Sequence, residues 1–214
     1  MRNRKTDSPP IERHEYSKLA EASFENAESW LDDAQTLIDK KSFGHSVALS
    51  RFALEETAKG ITCWYVSEDI WPLKDNSVIG DAFRYHSSKN DTVVGSLIPV
   101  LFNNYLFSTA KGKKTQIPES IKKPILEWIE TRGSPSVDEW VKPMEPERQD
   151  SIYVGYGPKI PNQIKQEKAE QEYRFAKAFF SYFRQFMTLN EQEKERLRTR
   201  FKQIPKELWK KEGS

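Results

Sequence analysis

Apolar residues recur every three or four positions through the first part of the chain, which is the spacing of one face of an α-helix. The repeat starts soon after Pro9 and Pro10 and predicts a long helix over about residues 11–41. Its apolar positions are Ala20, Phe24, Ala27, Leu31, Ala34 and Ile38. Residues 1–10 are polar, and we expect them to form a disordered lead.

A second helix is predicted almost immediately after the first. We expect the turn at residues 41–44, where Gly44 relaxes the backbone, and the helix then runs to about Glu68, before Pro72. So short a connection places two helices side by side and antiparallel. Small and apolar residues dominate the second helix, and a compact group of charged residues interrupts them: Arg51, Glu55, Glu56 and Lys59.

Further helices are predicted along the rest of the chain. They are expected over residues 92–110, 119–132, 163–188 and 191–203. Pro99 would kink or split the first of these, and Pro124 lies near the first turn of the second.

One long stretch before the last long helix has a different composition. Residues 133–162 are rich in proline and glycine, which is typical of irregular structure, and residues 151–156 within them favour an extended segment. The predicted fold is therefore all-α: a bundle of four to five main helices over residues 11–190, interrupted by this loop. Residues 191–214 are expected to add a charged C-terminal helix and tail.

Composition narrows the class of protein. The chain is 36% hydrophobic and 31% charged, with a formal net charge of +2, so any basic surface must be local. Its single cysteine, Cys63, excludes a disulfide within one chain and indicates a reducing interior. We find neither the ~18 continuous apolar residues of a membrane span nor a secretory signal. These features predict a cytoplasmic protein that does not associate with membranes.

Metal-ligand spacings of the Cys-x-x-Cys or His-x(3)-His kind do not occur in the sequence. We therefore expect no metal and no cofactor.

The charged residues of the second helix fall into two sets. One set, spaced four residues apart, comprises Arg51, Glu55 and Lys59. That spacing predicts a ladder of surface ion pairs worth ~0.3–0.5 kcal/mol each. Glu56 points about 100° away from Glu55, and we expect it to face the interior of the bundle. A buried carboxylate requires a cationic partner, for which His86 and Arg148 are the candidates.

His86 and Lys89 form the leading candidate for a catalytic site. A histidine can transfer protons near neutral pH, and a lysine can stabilise charge on a phosphate. The other members of this predicted acid–base cluster are Glu55 or Glu56, Arg84 and Arg148. An alternative interpretation stays open, in which His86 hydrogen-bonds a glutamate of the second helix and only pins its own loop onto the bundle.

Other residues are candidates for binding rather than catalysis. They are Arg84, Tyr153, Lys59, Glu55 and His45. Tyr153 can stack on a nucleic-acid base or cover the core as a lid, and His45, at a helix start, is typical of a capping or packing residue. The basic run from Arg196 to Lys202 shares its predicted helix with Glu191, Glu193 and Glu195, which favours a solvated helix over a nucleic-acid contact.

Aromatic residues are concentrated in the last long helix. The segment 175–183 carries more of them than one buried helix face accommodates, which predicts a homodimer interface. Trp30, Trp64, Trp128 and Trp140 are interpreted as core or interface anchors.

Several segments of the chain, taken in order, resemble one family. Residues 24–37, 45–48 and 53–59 are similar to the AbiV family of abortive-infection proteins, which belong to the HEPN superfamily of small helical domains. His86-Ser-Ser-Lys89 resembles the His-x-x-Lys element of that family. Residues 148–154, Arg-Gln-Asp-Ser-Ile-Tyr-Val, resemble its Arg…Tyr-Val segment. Together these segments span roughly residues 20–185.

The resemblance implies a bundle centred on four helices, a homodimer, and a role in defence against phage. Many HEPN proteins are metal-independent ribonucleases that use an Arg-x(4–6)-His motif. None of the three histidines here, His14, His45 and His86, has an arginine five to seven positions before it. Whether the chain is an enzyme is therefore left open.

Two hypotheses follow from the sequence. In the first, the protein is an abortive-infection effector that acts on RNA or translation through Glu56, His86, Lys89 and Arg148. In the second, it is a non-catalytic interaction module that binds a phage protein as its trigger, and the same residues form a structural network.

Overall fold

The computed structural model describes residues 12–70, 105–112, 116–131 and 164–202. These residues form six α-helices: α1 (Arg13–Asp39), α2 (Phe43–Ser67), α3 (Tyr105–Lys111), α4 (Glu119–Glu130), α5 (Gln166–Arg184) and α6 (Glu191–Lys202). A 3₁₀ turn, Gln185–Thr188, follows α5, and the described ranges contain no strand. The all-α prediction is confirmed, and the helix ends lie within a few residues of those expected. The lead, the extended segment at 151–156 and most of the predicted helix at 92–110 lie outside the described residues.

The helices α1 and α2 form the predicted pair. All six positions of the apolar stripe on α1 are buried, and Tyr16 extends the stripe by one turn. Helix α2 is buried on most of its circumference, and only one stripe of partly exposed residues remains. Helix α2 packs against both α1 and α5, which also contact each other, so these three helices form the centre of the bundle.

The turn between α1 and α2 is made by Lys41 rather than by Gly44. Lys41 has a φ of 59° and sits just past the end of α1, where the chain takes the left-handed conformation. The Ser42 N–H donates to the Leu37 carbonyl at 2.8 Å, which satisfies one of the last carbonyls of the helix. Gly44 lies within α2 and is buried, so the expectation that it relaxes the turn was wrong.

Helix α2 ends with the same arrangement. Asp69 has a φ of 58°, and the Ile70 N–H donates to the Tyr65 carbonyl at 2.9 Å. Ile70 and Tyr65 are both buried, and residues at these two positions are usually apolar in this kind of helix ending. The carboxyl ends of α1 and α2 are thus both fixed by backbone hydrogen bonds.

A glycine allows α1 and α2 to approach closely. A Cβ atom at Gly60 would lie 3.0 Å from the ring of Phe24 and 3.4 Å from the Ala20 carbonyl oxygen. Phe24 is fully buried and its ring also packs edge-on against Phe180 of α5. The absence of a side chain at Gly60 therefore leaves the space that this ring fills.

The aromatic residues of α5 are buried within the chain itself. Phe175, Phe179, Phe180, Tyr182 and Phe183 all belong to the core, which α5 forms with α2, α1 and α4. The excess of aromatics is explained by helices packing on more than one side of α5. It therefore no longer argues for a dimer interface, and the homodimer stays a prediction.

Three of the four tryptophans interpreted as anchors lie in the described residues, and all three lie in or against the core. Trp64 and Trp128 are buried, and Trp30 is partly buried against the core beside Phe52. Trp140 lies outside the described residues. Within those residues, none of the helices combines the length and the apolar character that crossing a bilayer requires.

Candidate functional site

A buried polar cluster joins three helices at the centre of the bundle. Its members are Arg51 of α2, Trp128 of α4, and Lys168 and Glu172 of α5. The side chains of Arg51 and Glu172 are 2% and 0% exposed. Both residues occupy core positions of their helices, because Arg51 follows Val47 by four residues and Glu172 follows Ala169 by three.

Glu172 is the acceptor at the centre of this cluster. Arg51 Nη2 lies 2.8 Å from Glu172 Oε2, and Lys168 Nζ lies 2.7 Å from Oε1. The Trp128 indole N–H donates to both carboxylate oxygens at 3.3 Å. The Arg51 guanidinium also lies 5.8 Å from the centre of the Trp128 ring, within the range of a cation–π interaction.

The surroundings of the cluster hold it in place. The ring of Trp128 stacks on Phe175 with a centroid distance of 4.2 Å and an interplanar angle of 11°. The two rings are fully buried, so the carboxylate, the guanidinium and the indole are fixed among close-packed atoms. Because a substrate cannot reach groups this deeply buried, we interpret the cluster as a pin that links α2, α4 and α5.

The two neighbouring glutamates of α2 are oriented opposite to the prediction. Glu55 is 4% exposed and faces the interior, as does Arg51, so the surface ladder of Arg51, Glu55 and Lys59 does not form. Glu56 lies on the partly exposed stripe of α2, where its carboxylate accepts a hydrogen bond from Lys59 Nζ at 2.9 Å. The prediction that Glu56 faces inward was therefore wrong.

The reason for this reversal is the burial of α2. A spacing of four residues indicates neighbours along one helix face, but it does not say whether that face meets solvent. On α2 the less buried face runs through His45, Leu49, Phe52, Glu56, Lys59 and Thr62. Glu55 and Arg51 lie off this face, and the bundle covers them.

His45 has a local role in the structure. Its ring Nδ1 lies 2.9 Å from the Ser42 hydroxyl, at the start of α2, and its side chain is exposed. This contact joins two side chains of the first turn and caps no backbone N–H, so the role of His45 stays a prediction. The other predicted site residues lie outside the described residues. They are Arg84, His86, Lys89, Arg148 and Tyr153.

Cys63 is the strongest potential nucleophile on α2, and its environment makes it unreactive. Its side chain is fully buried, and desolvation raises the pKa of the thiol to about 12. A thiol with so high a pKa stays protonated at neutral pH and is a poor nucleophile.

Sequence reasoning missed Glu172, Lys168 and the partnership with Arg51. The sequence did contain a signal for the buried ion pair. Glu172 interrupts the apolar spacing of α5 that is formed by Ala169, Tyr173, Ala176 and Phe180. A charged residue in such a stripe predicts a buried ion pair. Arg51 interrupts the stripe of α2 in the same way, and the two interruptions are each other's partners.

Comparison with known proteins gives one match. The family model HEPN_AbiV, which describes AbiV proteins, matches residues 15–181. No curated protein and no solved structure matches the chain. The matched span runs from the first turn of α1 into the last turn of α5 and covers more than half of the chain, and its helices form the bundle described above. The chain therefore belongs to the AbiV family of HEPN-type abortive-infection proteins.

Proposed function

We propose that the protein is an abortive-infection effector, which harms or arrests the infected host cell and so limits the multiplication of phage. The observation that carries this proposal is the family match over residues 15–181. The fold supports it, because those residues contain nearly all of the α1–α2 pair and of the helix, α5, that packs on it. The proposed site of action is the cytoplasm of the infected cell.

The test is to express the chain in a phage-sensitive bacterium and to measure plaque formation and the survival of infected cells. We expect fewer plaques and early growth arrest of infected cells. Cells that carry the expression vector without the gene serve as the control for effects of the host and the vector. Unchanged plaque numbers over a panel of phages, with the wild-type protein present and folded, would contradict the proposal.

The finer proposal is that the effector acts on RNA or on translation through His86, Lys89, Glu56 and Arg148. The residue types support it, because a histidine and a carboxylate can transfer protons and two cations can stabilise charge on a phosphate. The test compares cellular RNA and protein synthesis in infected cells that carry the wild type, His86→Ala or His14→Ala. His14 is exposed on α1 and provides a matched histidine control.

We expect His86→Ala to abolish the damage to RNA or the arrest of translation and His14→Ala to leave it unchanged. Equal damage with both variants would contradict the role of His86.

A second candidate function is favoured by the burial of the polar groups of α2. Glu55 is buried, Glu56 is paired with Lys59, and Cys63 is unreactive, so these groups serve the bundle itself. In this alternative the protein is a non-catalytic module that binds a phage protein as its trigger. Full protection by a folded His86→Ala variant, without any change in cellular RNA, would favour the module over the enzyme.

A homodimer is also proposed, since the family resemblance implies one. Sedimentation velocity at micromolar concentration tests it directly. A single monomeric species would contradict it.

A further inference from the structure

Helix α6 is attached to the end of α2 through one carboxylate. Lys194 Nζ lies 2.7 Å from Glu68 Oε1, and Arg198 Nη2 lies 3.4 Å from Oε2. Arg198 Nε also donates to the backbone carbonyl of Glu68 at 2.6 Å. Glu68 is the capping residue at the carboxyl end of α2. The Arg198 guanidinium therefore lies at the negative end of the helix dipole, where a cation is stabilising.

The same helix binds the end of α3. Arg196 Nη1 donates to the Ala110 carbonyl at 3.0 Å, and Lys111 Nζ lies 2.9 Å from Glu193 Oε1. The backbone at Gly112, with a φ of 65°, passes so close that a Cβ atom there would lie 2.8 Å from the Arg196 guanidinium. Two arginines of α6 thus cap the carboxyl ends of two different helices.

Two residues of α6 add apolar contacts to this attachment. Leu197 is the buried residue of α6, and Phe201 is partly buried with its ring 5.6 Å from that of Tyr65. Most of the other residues of α6 are charged. The helix also lies beyond residue 181, where the match to the family model ends.

We propose that α6 is a reversible clamp, which charge interactions hold against the ends of α2 and α3 and which detaches as a unit while the α1–α2–α5 bundle stays folded. Ion pairs between partly exposed groups are weakened by salt and contribute little each, so such an attachment opens more readily than a packed core does. The clamp fixes the positions of Ile70 and Tyr105 relative to each other. These two residues flank the segment 71–104 in the sequence. The proposal is independent of the effector function.

Hydrogen–deuterium exchange of the full chain tests this clamp. The key variant is Lys194→Glu, which places a second negative charge opposite Glu68. Its matched control is Lys202→Glu, which changes the net charge equally and lies exposed at the end of the same helix. We expect the amides of residues 191–202 to exchange more than about tenfold faster in Lys194→Glu and less than about threefold faster in Lys202→Glu.

A second measurement uses shape-conserving variants and salt. Glu68→Gln removes only the charge, and Glu21→Gln removes the charge of the pair with Arg184, which does not involve α6. We expect Glu68→Gln to speed exchange in α6 about three- to tenfold and Glu21→Gln to leave it unchanged. Raising salt from about 0.1 M to about 1 M shortens the screening length from about 10 Å to about 3 Å and should speed exchange in wild-type α6 as well.

Three results would overturn the proposal. One is equal exchange of α6 in Lys194→Glu and Lys202→Glu. Another is exchange of wild-type α6 that does not depend on salt. The third is faster exchange in Lys194→Glu that extends equally to the buried amides of α2, because α6 would then be a part of the core and not a separate clamp.

Discussion

Two carboxylates in this molecule each hold one arginine and one lysine, and they differ in burial. Glu172 receives Arg51 and Lys168 at the centre of the bundle and is 0% exposed. Glu68 receives Lys194 and Arg198 at the edge of the bundle and is 20% exposed. Both carboxylates have an arginine and a lysine as ion-pair partners, and Glu172 has the Trp128 indole as an additional donor. The main difference between the two carboxylates is therefore their exposure to solvent.

The difference teaches that ion pairs of the same kind have different effects on stability in the interior and at the edge of the bundle. In the interior, the cost of removing ions from water is large, and a charge that loses its partner is left without compensation. At the edge, water and salt replace a lost partner at little cost. We therefore expect the Glu172 cluster to control global stability and the Glu68 cluster to control only the attachment of α6.

The largest effect is expected from Glu172→Ala. This change leaves the Arg51 guanidinium buried without its carboxylate and deprives the Trp128 indole of its acceptor, at a cost of about 3–5 kcal/mol in the free energy of unfolding. Urea unfolding of the variant measures this loss. Glu170→Ala, on the exposed side of the same helix, is the control and should cost less than about 0.5 kcal/mol. Equal costs for the two variants would contradict the role of burial.

The double variant Arg51→Met, Glu172→Leu tests whether the buried pair itself is stabilising. Replacing both charges with apolar groups removes the desolvation cost, and such replacements in other proteins are neutral or stabilising by about 1–4 kcal/mol. We expect the double variant to be at least about 2 kcal/mol more stable than Glu172→Ala. A double-mutant cycle by urea unfolding gives the coupling energy, and additive losses would mean that the two side chains do not interact.

The two lysines provide a more direct comparison, with a smaller expected effect. Lys168→Met removes a cation from the buried Glu172 and should cost about 1.5–3 kcal/mol, because the carboxylate that loses this hydrogen bond is fully buried. Lys194→Met removes a cation from Glu68 and should cost about 0.2–1 kcal/mol. Thermal unfolding at matched pH and salt measures both. The comparison fails if the order of the two costs is reversed.

The smallest effect concerns Glu21, which bridges α1 to Arg184 of α5. A bidentate hydrogen bond from Arg184, at 2.6 and 2.9 Å, lowers the pKa of Glu21 below its ordinary value of 4.5. A lowered folded-state pKa contributes stability above pH 4.5, and this stability is lost as the pH falls toward the folded-state value. Glu21→Gln should therefore be slightly less stable than wild type at pH 7.

The same two proteins should become equally stable as the pH falls below 4.5. Unfolding curves over this range measure the convergence. A difference between wild type and Glu21→Gln that persists unchanged at the lowest pH would contradict the assignment.

The sequence predicted the helices well because their apolar spacing is regular. The stripe from Ala20 to Ile38 on α1 is buried as expected, and the bounds of α4 and α6 agree within two residues. It predicted the orientation of the charges on α2 wrongly. Spacing shows which residues share a face, whereas Glu55 is buried because several helices surround α2, and that is a property of the tertiary packing.

The candidate site was predicted less well than the fold, for a related reason. Arg51 was assigned to the surface because it stands four residues before Glu55, a common spacing of exposed pairs. Its actual partner, Glu172, is on another helix far along the chain, and no local pattern connects the two. The one feature that Arg51 and Glu172 share in the sequence is that each interrupts the apolar stripe of its helix.

The buried pair has a consequence for how sequences in this family diverge. Arg51 and Glu172 are encoded far apart, yet the loss of either one leaves a charge in the core that the fold tolerates poorly. A lineage can therefore change these positions only by passing through an unfavourable intermediate or by exchanging both within a short time. We expect relatives that carry an apolar residue at the position of Arg51 to carry an uncharged one at the position of Glu172, so the two positions should be inherited as a unit.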